Sequence, residues 1–341
     1  MTTTANLHEH RFSFHGLDLR YRTSMPSLLS SATAWGVYSQ RDMPDAGSQL
    51  TIHFEEVPDR RAVPVSLSSS ARRLFSGTRP VLGNSMRALW HCEILEDGGR
   101  LLVDVRGQGV LMIDAQRGNA QGYFFRPSAM HRDSLDMYFR YALSELLRPK
   151  NIFALDSTAL ELHGRGVLIA GHSGCGKTTA LLSLLRSGYR YLSDDTSLLW
   201  DRGAGMEVLA FPATIEVADR TVAFFPELRD ASPSPLRQGI YKKSFHAEEI
   251  YPVTGARSCE PTMILFPQVT NMPHSCLEPL SKGHALEALM PQPSFFQNEE
   301  LAKREFLALS RLVQRSASYR LHFGLDVLDL PSLITPLVER H

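Results

Sequence analysis

Val167-Leu168-Ile169-Ala170-Gly171-His172-Ser173-Gly174-Cys175-Gly176-Lys177-Thr178-Thr179 fits G-x-x-x-x-G-K-[ST] at Gly171, Gly176, Lys177 and Thr178. Four apolar residues lead in, and Ala180-Leu181-Leu182-Ser183-Leu184-Leu185 leads out. This is the strand–loop–helix setting that a phosphate-binding loop needs. Glycine lets successive N–H groups turn inward around an anion, and the helix that follows aims its positive dipole end at the same point. Gly171, Ser173, Gly174, Cys175, Gly176, Lys177, Thr178 and Thr179 are therefore the expected nucleotide-binding residues. Lys177 is expected to reach the terminal phosphates, and the Thr178 hydroxyl to join a magnesium shell. The bland alternative is a glycine-rich turn that matches by accident. With Gly at about 7% per position, chance supplies the pattern in on the order of one chain of this size in a hundred.

The 341 residues allow two domains, or one large domain with an extension. Basic and acidic residues balance at 36 each, so no global field draws the chain to nucleic acid or an anionic membrane. No apolar run approaches a membrane span, and residues 1–30 lack the apolar core of a signal peptide. The four cysteines (Cys92, Cys175, Cys259, Cys276) have no CxxC spacing. That pattern argues against disulfides and a zinc site and points to a cytoplasmic protein.

From Arg11 to about Arg126 the text reads as short strands broken by turns: Leu50–Val57, Ala88–Leu95, Leu101–Val105, Val110–Ala115 and Gln121–Phe125. Asp97-Gly98-Gly99 is a hairpin signal. Ser134–Leu147 reads as an amphipathic helix with a Ser cap, placed as a joint between a strand-rich domain (1–148) and a loop-bearing α/β domain (149–341). The loop helix is expected to end at Ser187-Gly188, followed by a strand over Tyr189–Ser193. Residues 201–261, rich in Pro, Gly, Ser and charge, are expected to be a loop-rich, substrate-facing region. Beyond them come a strand at Thr262–Phe266, helices at Ser281–Met290 and 298–314, a strand at Tyr319–Phe323, and a closing helix from Pro331.

Asp194 and Asp195 stand at the end of the strand after the loop helix, and Asp194 lies 17 residues beyond Lys177. This path delivers a carboxylate pair to the end of the strand beside the loop, where open α/β sheets bind ligands. One carboxylate can help hold magnesium and the other can accept the proton of an attacking hydroxyl. Read as structure alone, the pair is a strand-capping turn. Lys242-Lys243 is a candidate cationic clamp, and Arg304, Arg311, Arg315 and Arg320 are candidates for an arginine finger. His163 reads as a turn residue, His172 as an outward loop side chain, and Cys175 as the occupant of a permissive position.

Gly164-Arg165-Gly166 with the loop, the Leu-rich helix, Ser187-Gly188-Tyr189-Arg190 and Ser193-Asp194-Asp195 resemble the catalytic domain of HPr kinase/phosphorylase and its relatives, which include kinases of lasso-peptide clusters. The resemblance is strong over residues 150–200 and looser through Phe211-Pro212, Ile264–Pro267, Leu280–Leu289 and Ser318–Asp326. It implies a P-loop α/β domain of the HPr kinase/phosphoenolpyruvate carboxykinase type behind a strand-rich α+β domain. It also implies ATP- and Mg²⁺-dependent transfer to serine of a peptide or protein, with Asp194 and Asp195 as base and metal-side ligand and Asp195 assigned to the metal. Where many members carry a histidine, 15 positions before Gly171, this sequence has Asp156. An aspartate there crowds like charge towards the pair and weighs against a reversible phosphorylase activity. The other readings are a nucleotide-dependent switch or ATPase, an idle ATP-binding module, and a small-molecule hydroxyl kinase. The expected partner is a peptide or protein acceptor, with no nucleic acid and no membrane; a homo-oligomer is compatible with the sequence.

Overall fold

The computed structural model describes residues 7–25, 49–82, 89–130, 132–211, 213–233, 242–251, 255–290 and 299–340. The chain divides into two compact units, one of Met1–Val81, Ala88–Ile152 and Phe295–Ala302, the other of Leu82–Arg87, Phe153–Ser294 and Lys303–His341. Among the described residues no helix is long and apolar enough to cross a membrane.

The first unit is built on β1 (His8–Phe14), β2 (Leu17–Thr23), β3 (Gln49–Val57), β4 (Arg72–Pro80), β5 (Leu89–Asp97), β6 (Arg100–Val105), β7 (Gly109–Asp114) and β8 (Asn119–Phe125). They form one sheet in the order β1-β2-β3-β8-β7-β6-β5-β4. The β5–β6 hairpin turns at Gly98-Gly99, both at positive φ, as Asp97-Gly98-Gly99 predicts. β3 alternates cleanly, with Leu50, Ile52 and Phe54 buried. Asp104, at the end of an apolar run, pairs with Arg60 at 2.7 Å, so its role is structural.

Helix α1 (Arg132–Leu147) belongs to this unit and starts two residues before the expected Ser134 cap. Its Tyr138 stacks on Trp90 (4.4 Å) and meets Phe124 edge-on, while Phe139 meets Tyr21. Phe54, fully buried, joins the cluster through Phe124 at 5.0 Å and Tyr21 at 5.8 Å. Phe54→Ala opens a cavity in this aromatic core and should cost about 3–5 kcal/mol. A urea titration checks it: the midpoint falls while the slope stays put.

The second unit contains β9 (Ile152–Leu155) from its second residue, β10 (Ser157–Leu162), β11 (Arg165–Ala170), α2 (Lys177–Arg186), β12 (Arg190–Ser193), β13 (Ser197–Asp201), β14 (Met206–Leu209), β15 (Ile215–Ala218), α3 (Asp219–Val222), β16 (Ser232–Pro233), β17 (Lys242–Phe245), α4 (Ala247–Ile250), β18 (Ser258–Val269), β19 (Cys276–Pro279), α5 (Lys282–Leu289), α6 (Glu299–Arg315) from Lys303 onward, β20 (Ala317–Phe323) and α7 (Leu330–Arg340). The main sheet runs β12-β10-β11-β18-β14-β13-β9, and β20 pairs with both β18 and β19. β11, β18 and β20 are mutually parallel, whereas β10 is antiparallel to both β11 and β12. β11 is buried almost throughout, as a central strand covered on both faces must be.

Two expectations need correcting. β12 is not the neighbour of the loop strand, because β10 lies between them. Residues 201–261 are not mainly loop: among those described are β14, β15, α3, β16, β17 and α4, with β15, β17 and β16 forming a separate small sheet. Strands of two to four residues show no period to read. The first residue of the helix expected over 298–314 lies outside the described residues.

At the far end of β10, the fully buried Glu161 accepts hydrogen bonds from Arg190 and from the Gly164 N–H. Burial pushes its carboxyl up, but the Arg190 hydrogen bond, the Gly164 N–H and the Arg190 charge together hold it below its ordinary 4.5. A carboxyl lowered on folding contributes stability above its unfolded value and loses it as pH falls through the folded one. Glu161→Gln should therefore cost roughly 1–2 kcal/mol at neutral pH, discounted because Arg190 is partly exposed. The gap between the melting curves of the two proteins should narrow as pH falls below the carboxyl's ordinary 4.5, whereas a gap that widens on acidification would contradict this account.

Candidate functional site

The glycine loop leaves the end of β11 and returns as the first turn of α2, as its motif requires. Gly171 has φ 146° and Gly176 φ 110°, where side chains are strained. Both positions are also crowded: a Cβ on Gly171 would lie 2.9 Å from Cys175 Sγ, and one on Gly176 would lie 3.0 Å from the Phe323 ring. At Gly174 a Cβ would meet nothing within 4 Å, so the crown of the loop faces open space. His172, Ser173 and Gly174 are exposed there, with His172 Nδ1 3.0 Å from Ser173 O.

Helix α2 buries Ala180 through Leu185 and closes with a Gly188 cap at φ 99°. Gly188 N–H bonds Leu185 O and Tyr189 N–H bonds Leu184 O, the paired closure of a left-handed glycine cap. Ser183 Oγ donates to Val327 O at 2.7 Å, which anchors the helix on the segment leading into α7.

Lys177 is buried, and its ammonium donates back to Gly171 O and, at 3.4 Å, to His172 O. Its charge partner is Asp156, 3.6 Å away, and the two side chains are only 7% and 2% exposed. Asp156 immediately precedes β10. Since β10 is antiparallel to β11, its first residue, Ser157, pairs with Ala170 at the root of the loop. The carboxylate expected to crowd the aspartate pair thus faces the loop lysine.

Two residues on, Thr158 Oγ1 donates to Asp194 Oδ1 at 2.8 Å. Asp194 is 1% exposed, while Asp195 is half-buried and left-handed at φ 63°, a conformation Asp tolerates. Between Asp156 and Thr158, Ser157 turns to the opposite side and bonds Ser197 Oγ at 2.9 Å. Ser197 in turn lies 2.8 Å from Ser193 Oγ and donates to Ser157 O. This buried serine lattice pins the end of β12 and the start of β13 to β10. The start of β10 thus holds Lys177 through one side chain and Asp194 through another, about 7 Å apart along an extended chain.

Thr178 is half-buried at the first turn of α2, and Thr179 Oγ1 lies 3.3 Å from Thr221 Oγ1. Burial pushes the Cys175 thiol above its ordinary range against the pull of the Lys177 charge, which fits packing rather than thiolate chemistry. All four cysteines are free. His163 is an exposed turn residue at φ 52°.

The cationic candidates are engaged elsewhere. Lys242 pairs with Glu216 at 3.3 Å within the small sheet, and Lys243 donates to Arg229 O. Arg311 pairs with Asp201 at 2.7 Å, Arg315 donates to Ala204 O, and Arg320 pairs with Glu278 at 3.3 Å. Arg304 is half-buried on α6. Sequence reasoning missed Thr158, the serine lattice and the Asp156–Lys177 pair. Ser157 and Thr158 sit in a Ser-Thr-Ala stretch that does not announce a strand.

Among the described residues no group of three or more His, Cys, Asp or Glu side chains forms a metal cage. Magnesium bound with a nucleotide needs none, because it takes one or two protein oxygens beside phosphate and water. Thr178 and the aspartate pair are donors of that kind. The loop combines glycines at positive φ, open space at Gly174 and an ammonium held on its own carbonyls Gly171 O and His172 O.

No family model matches the chain, and no curated protein matches it. Among solved structures, the Hpr(Ser) kinase/phosphatase from Coxiella burnetii is similar at 14% identity and a TM-score of 0.29, covering 55% of this chain and 95% of that one. A likeness at that score carries no argument about what this chain does.

Proposed function

We propose that this chain is an ATP- and Mg²⁺-dependent phosphotransferase of the HPr-kinase-like type, moving the γ-phosphoryl group to a hydroxyl, most simply a serine of a peptide or protein. The observation that carries the reading is the start of β10, which ties the loop lysine and a buried aspartate to the same end of one interior strand. In this reading the backbone of Gly171–Gly176 cradles the phosphates and Lys177 leaves the loop carbonyls to meet their charge. Thr178 and Asp195 hold the metal side, and Asp194, steadied by Thr158, accepts the proton of the attacking hydroxyl. Bound magnesium supplies neutralisation of the charge on the phosphoryl oxygens. Such transfer is mostly positioning and charge stabilisation, so few further residues are required.

The test is incubation with γ-labelled ATP, Mg²⁺ and serine-containing peptides. Label on a peptide is the expected result. Label released only as inorganic phosphate would favour an ATPase or switch, and label on a small hydroxyl compound a metabolite kinase. No turnover and no nucleotide binding would overturn the reading.

A further inference from the structure

Resting on the phosphotransferase reading, we propose that Asp156 is a specificity-determining residue that restricts this site to the divalent-metal complex of a nucleoside triphosphate and excludes the free polyphosphate. An ammonium has three N–H donors. Lys177 directs two of them at Gly171 O and His172 O, and the Asp156 carboxylate faces its charge as an ion pair at 3.6 Å, just beyond hydrogen-bond length. An arriving polyphosphate therefore meets a cation that is already balanced. It also meets a carboxylate 2% exposed, which water cannot screen as it would at the surface. Asp194, 1% exposed and bonded to Thr158, adds a second buried acid at the same end of β10.

The balance of charge decides what can enter. Free nucleoside triphosphate brings its full negative charge beside two buried carboxylates with one committed lysine to offset it. A divalent cation travelling with the phosphates cancels much of that charge and can be shared with the acids. Like-charge juxtaposition in a partly desolvated site is the usual way to reject a wrong ligand. Asp156 supplies it here without touching the nucleotide, by occupying the lysine.

Calorimetric titration with a non-hydrolysable ATP analogue, in Mg²⁺ and in EDTA, tests the proposal on wild type, Asp156→Asn and Asp156→Glu. The wild type should strongly prefer the metal complex. In Asp156→Asn that preference should shrink by at least about tenfold, ~1.4 kcal/mol, chiefly because the free analogue binds better. Asp156→Glu, which keeps the charge, should retain the preference. Neutral Asp156→Ser repeats the comparison if the Asn variant does not fold. An unchanged preference in a folded neutral variant overturns this proposal alone. Absence of binding by every protein in both buffers overturns it together with the phosphotransferase reading.

Discussion

Lys177→Ala will abolish phosphoryl transfer and will also weaken the fold, and the second effect, but not the first, will be reversed by adding Asp156→Asn. The functional loss follows from geometry: the ammonium stands at the base of the glycine loop, and the described candidates Lys242, Lys243, Arg311, Arg315 and Arg320 all have partners elsewhere. Removing one preorganised donor from developing charge typically costs about 10²–10³ in rate, and a charged donor in a buried site lies at or beyond the upper end. The structural loss follows from burial. Asp156 loses its ammonium partner while its side chain is 2% exposed, and breaking a buried ion pair by removing one member costs about 3–5 kcal/mol. Replacing both partners by neutral groups removes that penalty, so the double variant should melt near wild type and remain inactive. Thermal melting and single-turnover transfer, run on the same three proteins, check both halves. A double variant that recovers activity would show that Lys177 serves only the fold.

How much of this was legible before the structure depends on the length and period of each signal. The loop and its helix were readable to the residue because glycine, lysine and a Leu-rich run each act locally. The long alternating strands of the first unit were readable for the same reason, as β3 and the Gly98-Gly99 hairpin show. β10 was not, because Ser157-Thr158-Ala159-Leu160-Glu161 is buried on both faces and has no alternation to betray a strand. That omission propagated. Without β10 the aspartate pair reads as adjacent to the loop strand, and Asp156 reads as a like charge crowding that pair instead of the partner of Lys177. The small sheet of β15, β16 and β17 escaped for a different reason: four residues or fewer per strand leave pairing to tertiary context. The sequence offers Lys242-Lys243 as a candidate clamp or a solvated charge pair; the pairing of Lys242 with Glu216 across β15 and β17 is a fact of register that composition cannot supply.

Asp194→Asn should lower the rate of transfer by about 10²–10⁴ while leaving nucleotide affinity almost unchanged, since a positioned general base contributes on that scale. The substitution is isosteric, and its amide oxygen still accepts from Thr158 Oγ1, so the fold and the serine lattice beneath it should persist. What disappears is the basic oxygen that would take the hydroxyl proton. Asp195→Asn should behave differently. Asp195 is half-buried on a left-handed residue, open to water and to a hydrated ion, so its loss should raise the Mg²⁺ concentration needed for half-maximal rate more than it lowers the rate at saturation. The two variants therefore separate the roles: one changes the rate at saturating Mg²⁺, the other the Mg²⁺ dependence. Should Asp194→Asn keep its rate while Asp195→Asn loses it, the assignments exchange. Should both keep it, the pair is only the strand-capping turn that its sequence also allows, and the base must be sought elsewhere.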